Sequence, residues 1–318
     1  MMPSKKDATS IYQYSIVCLC VMFVTWKGYH SSQPSVWLSL IVSSSLVSKF
    51  VFLPALWKWA IKRANKLPLV NPQAFFMGRM GWIKQKNECT LVCVGDSITH
   101  GTVSANYVDK IEHSLRKEMV PFKDYHWNVV NAGVNSITSF DVHRNIENII
   151  YCNPDYVTIL IGTNDTKAFL RNKKKEKIKS SYKETLSFDH YESNLIKIVR
   201  KILEKTDAIV ALCTIPPIGE DLSSKANSMY VRKANTIIKN ITVRNEFAKL
   251  KRVYLFDTNY ELRQTITEFN KGRFFYPSVE QFMENMRWTY LLHEILGLSW
   301  NISSNLVLGP SYNVVRFL

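Results

Sequence analysis

Thr90-Leu91-Val92-Cys93-Val94-Gly95-Asp96-Ser97-Ile98-Thr99 is the stretch whose reading decides the fold. An apolar run of strand length passes through a glycine turn into the start of a helix, the pattern of a parallel strand ending at the carboxyl edge of a sheet. That edge is where open α/β sheets bind ligands. Two further runs repeat the pattern: His126 to Val130 ends in Asn131-Ala132-Gly133, and Tyr156 to Ile161 ends in Gly162-Thr163-Asn164-Asp165. The Ser97 hydroxyl, the Gly133 N–H and the Asn164 carboxamide are therefore expected at one edge. A serine hydroxyl facing fixed N–H donors is what acyl transfer requires, because the developing alkoxide needs donors already in place. Each residue also has a plainer use, since serine caps helices and Gly-Thr-Asn-Asp forms turns.

Outward from these blocks the pattern alternates. Strands are expected at 90–94, 126–131, 155–161, 207–213 and 252–256, with helices at 104–119, 138–150, 187–204 and 223–248 between them. Such alternation predicts a parallel sheet with helices on both faces. The last helix carries an apolar stripe of Met229, Ala234, Ile237, Ile238 and Ile241 at helical spacing.

In their order and strand contexts the three blocks resemble the SGNH (GDSL-type) hydrolase family, over about Thr90 to Leu308 and including Thr214-Ile215-Pro216-Pro217-Ile218-Gly219-Glu220-Asp221. The resemblance implies a flavodoxin-like three-layer α/β sandwich that cleaves acyl esters without cofactor or metal. It implies Ser97 as nucleophile, with its own N–H, the Gly133 N–H and the Asn164 side chain as oxyanion donors. Asp96 and Asp165 occupy family positions too and are expected to order their loops through side-chain hydrogen bonds.

Members of that family also carry a C-terminal Asp-x-x-His block whose histidine activates the serine. None of the seven histidines here has an aspartate three residues before it, and Gly309-Pro310-Ser311-Tyr312 follows the expected strand Asn305 to Leu308. Two readings stand: an altered end of an active esterase, or a catalytically impaired relative that binds acyl ligands or acts as a membrane scaffold. His100 would lie along the flank of the helix after Ser97. His293 falls in an expected helix, Ser278 to Leu296, whose stripe of Phe282, Met286, Tyr290 and Leu291 indicates packing. His143 reads as a helix-surface residue.

The first 80 residues differ from the domain expected over 81–318. Two apolar stretches, Ile11 to Trp26 and Ser35 to Ile61, flank a short polar link and predict a hydrophobic helical hairpin in a membrane. Lys49 and Pro54 interrupt the second stretch, so a tilted, broken or interfacial course is expected there. Lys5 and Lys6 before the pair, and Lys58, Lys62, Arg63 and Lys66 after it, place both ends and the domain on the cytosolic side. Six cysteines form no disulfide framework or metal spacing. The net charge is +15, but the lysines are scattered and no nucleic-acid motif occurs, so the expected partners are an acyl-ester small molecule or lipid and a membrane. The densest basic run, Arg171 to Lys179, is either a solvated insertion or a contact for anionic headgroups.

Overall fold

A computed structural model describes residues 65–81, 83–101, 106–117, 124–172, 187–219 and 221–270, with Lys58 and Lys62. The chain forms two compact units, Met1–Arg63 and Ala64–Leu318. Residues 64–80, expected to go with the N-terminal part, thus belong to the α/β unit. The two apolar stretches apart from Lys58, residues 173–179 of the basic run, the helix expected over Ser278 to Leu296 and the strand expected over Asn305 to Leu308 lie outside the described residues. Among the described residues no helix is long and apolar enough to cross a membrane.

The elements are α1 (Pro72–Met77), β1 (Glu88–Gly95), α2 (Ser97–His100), α3 (Tyr107–Lys117), β2 (His126–Gly133), α4 (Ser139–Arg144), α5 (Glu147–Ile150), β3 (Tyr156–Leu160), α6 (Thr163–Asn172), α7 (Phe188–Lys205), β4 (Ile209–Cys213), a π-helical turn (Ala226–Val231), α8 (Arg232–Thr242), α9 (Asn245–Ala248), β5 (Val253–Phe256) and α10 (Thr258–Asn270). The sheet order is β2-β1-β3-β4-β5, with every neighbouring pair parallel. This is the flavodoxin-like order, whose connections reverse direction beside β1.

Both faces of the sheet are largely buried along β1 to β3, which is why these strands read as unbroken apolar runs, while Tyr254, Leu255 and Phe256 of β5 are exposed. Val92, Val94, Val130, Ile159 and Leu212 join one large core with Val142 of α4, Leu195 and Ile198 of α7, and Ile238 of α8. Leu91, Cys93, Trp127 and Val129 form a second core with Val108 of α3 on the opposite face. α7 presents Tyr191, Leu195, Ile198, Val199 and Ile202 as one stripe, and its Ser187 cap accepts from the His190 N–H at 3.1 Å.

Three expected elements differ. The helix over 138–150 splits into α4 and α5 because Asn145 leaves helical geometry at φ −107, ψ 19. The helix over 223–248 divides into the π turn, α8 and α9, interrupted at Val243 with φ −99, ψ 2. Asn164 stands inside a helix, α6, where a turn and loop were expected; Asn and Asp suit a helix start and a turn equally, so composition alone does not separate them.

Candidate active site

Three strand ends lie in register. Gly95 pairs with Gly133 on one side and with Leu160 on the other, so the loops carrying Ser97, residues 134–138 and Asn164 leave a single edge. Adjacent strands are about 4.8 Å apart, which brings these loops within side-chain reach of one another. α2 begins at once: the Asp96 side chain caps it by accepting from the Ile98 N–H at 3.0 Å, and Gly101 at φ 80 closes it by donating to the Ser97 carbonyl at 3.2 Å. Ser97 thus stands on the first turn, half-buried, and its hydroxyl has no hydrogen-bond partner among the described residues. A Cβ on Gly95 would overlap the Thr99 Oγ1 and the Leu160 carbonyl oxygen, so only glycine lets α2 fold back this tightly.

Gly133 serves the same close packing. A Cβ there would overlap the His100 backbone nitrogen. The residue is buried, and its N–H donates to Asn131 Oδ1 at 2.9 Å. Asn131 Nδ2 in turn donates to the Thr99 carbonyl at 2.9 Å. The expectation that Gly133 supplies an oxyanion donor therefore meets a physical obstacle: its N–H is already engaged.

The turn just beyond is different. Ser136 is exposed, sits in the left-handed region at φ 66, and makes no hydrogen bond among the described residues. Sequence reasoning missed it; the Asn135-Ser136 pair is a turn signal, but nothing in it marks a functional N–H. Asn164 is half-buried and donates one Nδ2 hydrogen to the Ile137 carbonyl at 2.8 Å. Its carboxamide is held against the turn that carries Ser136, with the second Nδ2 hydrogen still available.

Beneath this edge lie two buried carboxylates. Asp165 accepts from the Ser139 N–H at 3.1 Å and from its hydroxyl at 2.7 Å, fastening the start of α6 to the start of α4. Asn194 Nδ2 donates to the same hydroxyl at 3.2 Å. Burial raises the Asp165 pKa against these bonds, and it pushes Asp96 up to about 6, with Lys167 opposing and Asp165 reinforcing the rise. Both carboxylates order loops, the role read for them in sequence.

Farther along the edge, Asn235 clasps both backbone groups of Ile215 at 2.8 and 3.0 Å, and Asn227 does the same for Ile218 at 2.8 and 3.0 Å. These two clamps hold the Thr214 to Ile218 loop rigid. Their pairing spans nine and twenty residues, so local pattern does not reveal it.

His100 Nε2 lies 2.7 Å from the Lys66 carbonyl, to which it must donate. Burial holds this imidazole below its ordinary pKa, against the bond to the Lys66 carbonyl. His190 Nδ1 is 2.8 Å from the Ser187 hydroxyl, while burial, Lys197 and Lys201 lower His143. None of the histidines among the described residues bonds the Ser97 hydroxyl; His30 and His293 lie outside them. Burial pushes the Cys93 thiol to about 11 and those of Cys152 and Cys213 to about 12, which removes them as nucleophiles at neutral pH. No group of three histidine, cysteine or acidic side chains able to hold a metal occurs among the described residues.

The chain matches the GDSL-like lipase/acylhydrolase family over residues 93–272. Among solved structures it is similar to Axe2, an acetylxylan esterase from Geobacillus stearothermophilus, at 22% identity over 68% of this chain and 98% of that one, with a TM-score of 0.43. It is also similar to the acetyl xylan esterase AlAXEase, at 20% identity over 57% of this chain and 81% of that one, with a TM-score of 0.43. None of the curated proteins matches the chain.

Proposed function

The chain belongs to the GDSL-like lipase/acylhydrolase family, and on that premise we propose that it is a serine esterase of the SGNH type with Ser97 as nucleophile. One observation carries this reading: a half-buried serine with an unengaged hydroxyl stands at the carboxyl edge beside an oriented carboxamide. Ser97 Oγ adds to the ester carbonyl, its proton leaves to a base, and the oxyanion is met by the Ser97 N–H and the remaining Asn164 Nδ2 hydrogen. In place of Gly133 we assign the third donor to the Ser136 N–H, which is exposed and unengaged on the turn that holds the Asn164 amide. Collapse of the adduct expels the alcohol with a proton and leaves an acyl-serine, which water hydrolyses to the acid. Each such donor is worth about 2.7–4 kcal/mol of transition-state stabilisation.

The test is labelling by a fluorophosphonate together with turnover of p-nitrophenyl esters. Ser97→Ala should abolish labelling and lower turnover by at least about 10³-fold. Undiminished labelling of that variant would sink the assignment.

A second reading is favoured by the histidines. Because none of those described reaches Ser97 and no Asp-x-x-His is found in the 318 residues, the chain is read alternatively as an acyl-ligand binder with a weak or absent base. It predicts slow or no fluorophosphonate labelling with retained binding of a long-chain acyl ester. Rapid labelling lost in His293→Ala would exclude it and identify the base.

We further propose that the two N-terminal apolar stretches hold the protein on a membrane with the α/β unit on the cytosolic side. Resistance to alkaline carbonate supports the anchor, and a glycan on Asn240 or Asn301 would overturn the orientation.

A further inference from the structure

The segment from Asn65 to Lys84 packs Phe75 against the core and Phe76 against Tyr151, but turns the other large apolar side chains among its described residues outward. It enters the α/β unit at the catalytic edge, where Asn135 Nδ2 donates to Asn65 Oδ1 at 3.1 Å and His100 donates to the Lys66 carbonyl. From there it follows the β2 edge, with the Val70 carbonyl accepting from the Asn131 N–H at 2.9 Å. It ends at the opposite edge, where Arg79 bonds Glu88 at 2.5 Å and Asn128 at 3.0 Å and Lys84 bonds Asp155 at 2.5 Å. Polar and backbone groups thus supply these fastenings to the domain. Large apolar side chains face out: Leu69 is 96% exposed, Ile83 81%, Met80 67% and Met77 61%.

A strap that simply closed a sheet edge would turn its apolar side inward, because each buried leucine or methionine gains about 1.5–3 kcal/mol. Clustered apolar side chains left outward instead mark a surface that meets an apolar partner. What precedes the strap in the chain identifies that partner. The apolar run Ser35 to Ile61 ends only a few residues before Asn65, and Lys58, Lys62, Arg63 and Lys66 stand at the junction. Apolar side chains flanked by cations suit the headgroup boundary of a bilayer.

We propose that residues 67–81 and Ile83 lie along a lipid surface as a docking flank beside β2, with Leu69 at the catalytic end of the sheet, so that the ester reaching Ser97 is one dissolved in the bilayer. The substrate part rests on the esterase reading; the docking part does not. With its first fastenings on His100 and Asn135, the strap ties the docking flank directly to the loops around Ser97 and Ser136.

The experiment uses the full chain in phosphatidylcholine–phosphatidylserine vesicles, with a benzophenone amino acid at position 69, 80 or 243. Val243 is the control, an exposed apolar residue at the end of α8. Photocrosslinking to lipid at 69 and 80, several-fold above that at 243, is the expected result. Equal lipid crosslinking at all three positions, or crosslinking of 69 and 80 to a second copy of the chain, overturns the docking. Independently, Leu69→Glu should slow hydrolysis of a vesicle-borne ester about tenfold while sparing a soluble acetyl ester. Equal loss on both substrates overturns the substrate assignment, and no ester turnover by the unmodified chain, with the crosslinking intact, overturns the esterase reading alone.

Discussion

The Gly133 N–H and the Thr99 carbonyl share one side chain: Asn131 accepts from the first and donates to the second, each at 2.9 Å. All three residues are buried. The carboxamide is a clip between the end of β2 and the serine-bearing turn, and it occupies the N–H that the sequence offered as a catalytic donor.

Asn131→Ala should accordingly leave a buried donor and a buried acceptor unpaired. An unsatisfied buried group costs about 1–3 kcal/mol. Thermal unfolding should fall by several degrees, and the secondary structure measured by circular dichroism should persist.

Gly133→Ala is expected to be harsher. Its Cβ would overlap the His100 backbone nitrogen, which cannot swing aside as a side chain can. We expect little soluble protein on expression. A stable, active Gly133→Ala variant would show that α2 shifts freely, against the packing described.

Ser136→Gly should move the other way. A left-handed conformation costs a residue other than glycine roughly 1–2 kcal/mol, partly offset by the larger entropy that glycine loses on folding. A rise in melting temperature of about 2–4 °C is expected for a gain near 1 kcal/mol. Ester turnover should survive, because a backbone N–H is kept.

Stability should fall as pH rises through 6. The Asp96 carboxyl has its folded-state pKa raised from about 4 to about 6, so the folded chain binds this proton more tightly than the unfolded one. Its contribution is fully present below pH 4 and is lost between 4 and 6. Asp96→Asn keeps an oxygen to cap the Ile98 N–H, so the melting temperature of this variant should depend less on pH across 4–7. Identical pH profiles for both proteins would contradict the burial argument.

By itself, the sequence determined the layer architecture, the strand order of the family it resembles, and the edge at which Ser97 and Asn164 appear. Apolar runs such as Thr90 to Val94 and stripes such as Tyr191 to Ile202 carry that information locally, through side-chain periodicity. Only tertiary structure decided which backbone N–H groups remain available, since hydrogen bonding at Gly133 depends on Asn131 meeting Thr99 from another loop. The same holds for Asn227 and Asn235, whose backbone clamps join segments far apart in sequence. It holds as well for the strap, whose leucines and methionines turn outward. Their outward direction is set by where Lys66, Arg79 and Lys84 find partners, and those partners are chosen by packing at a distance in the chain.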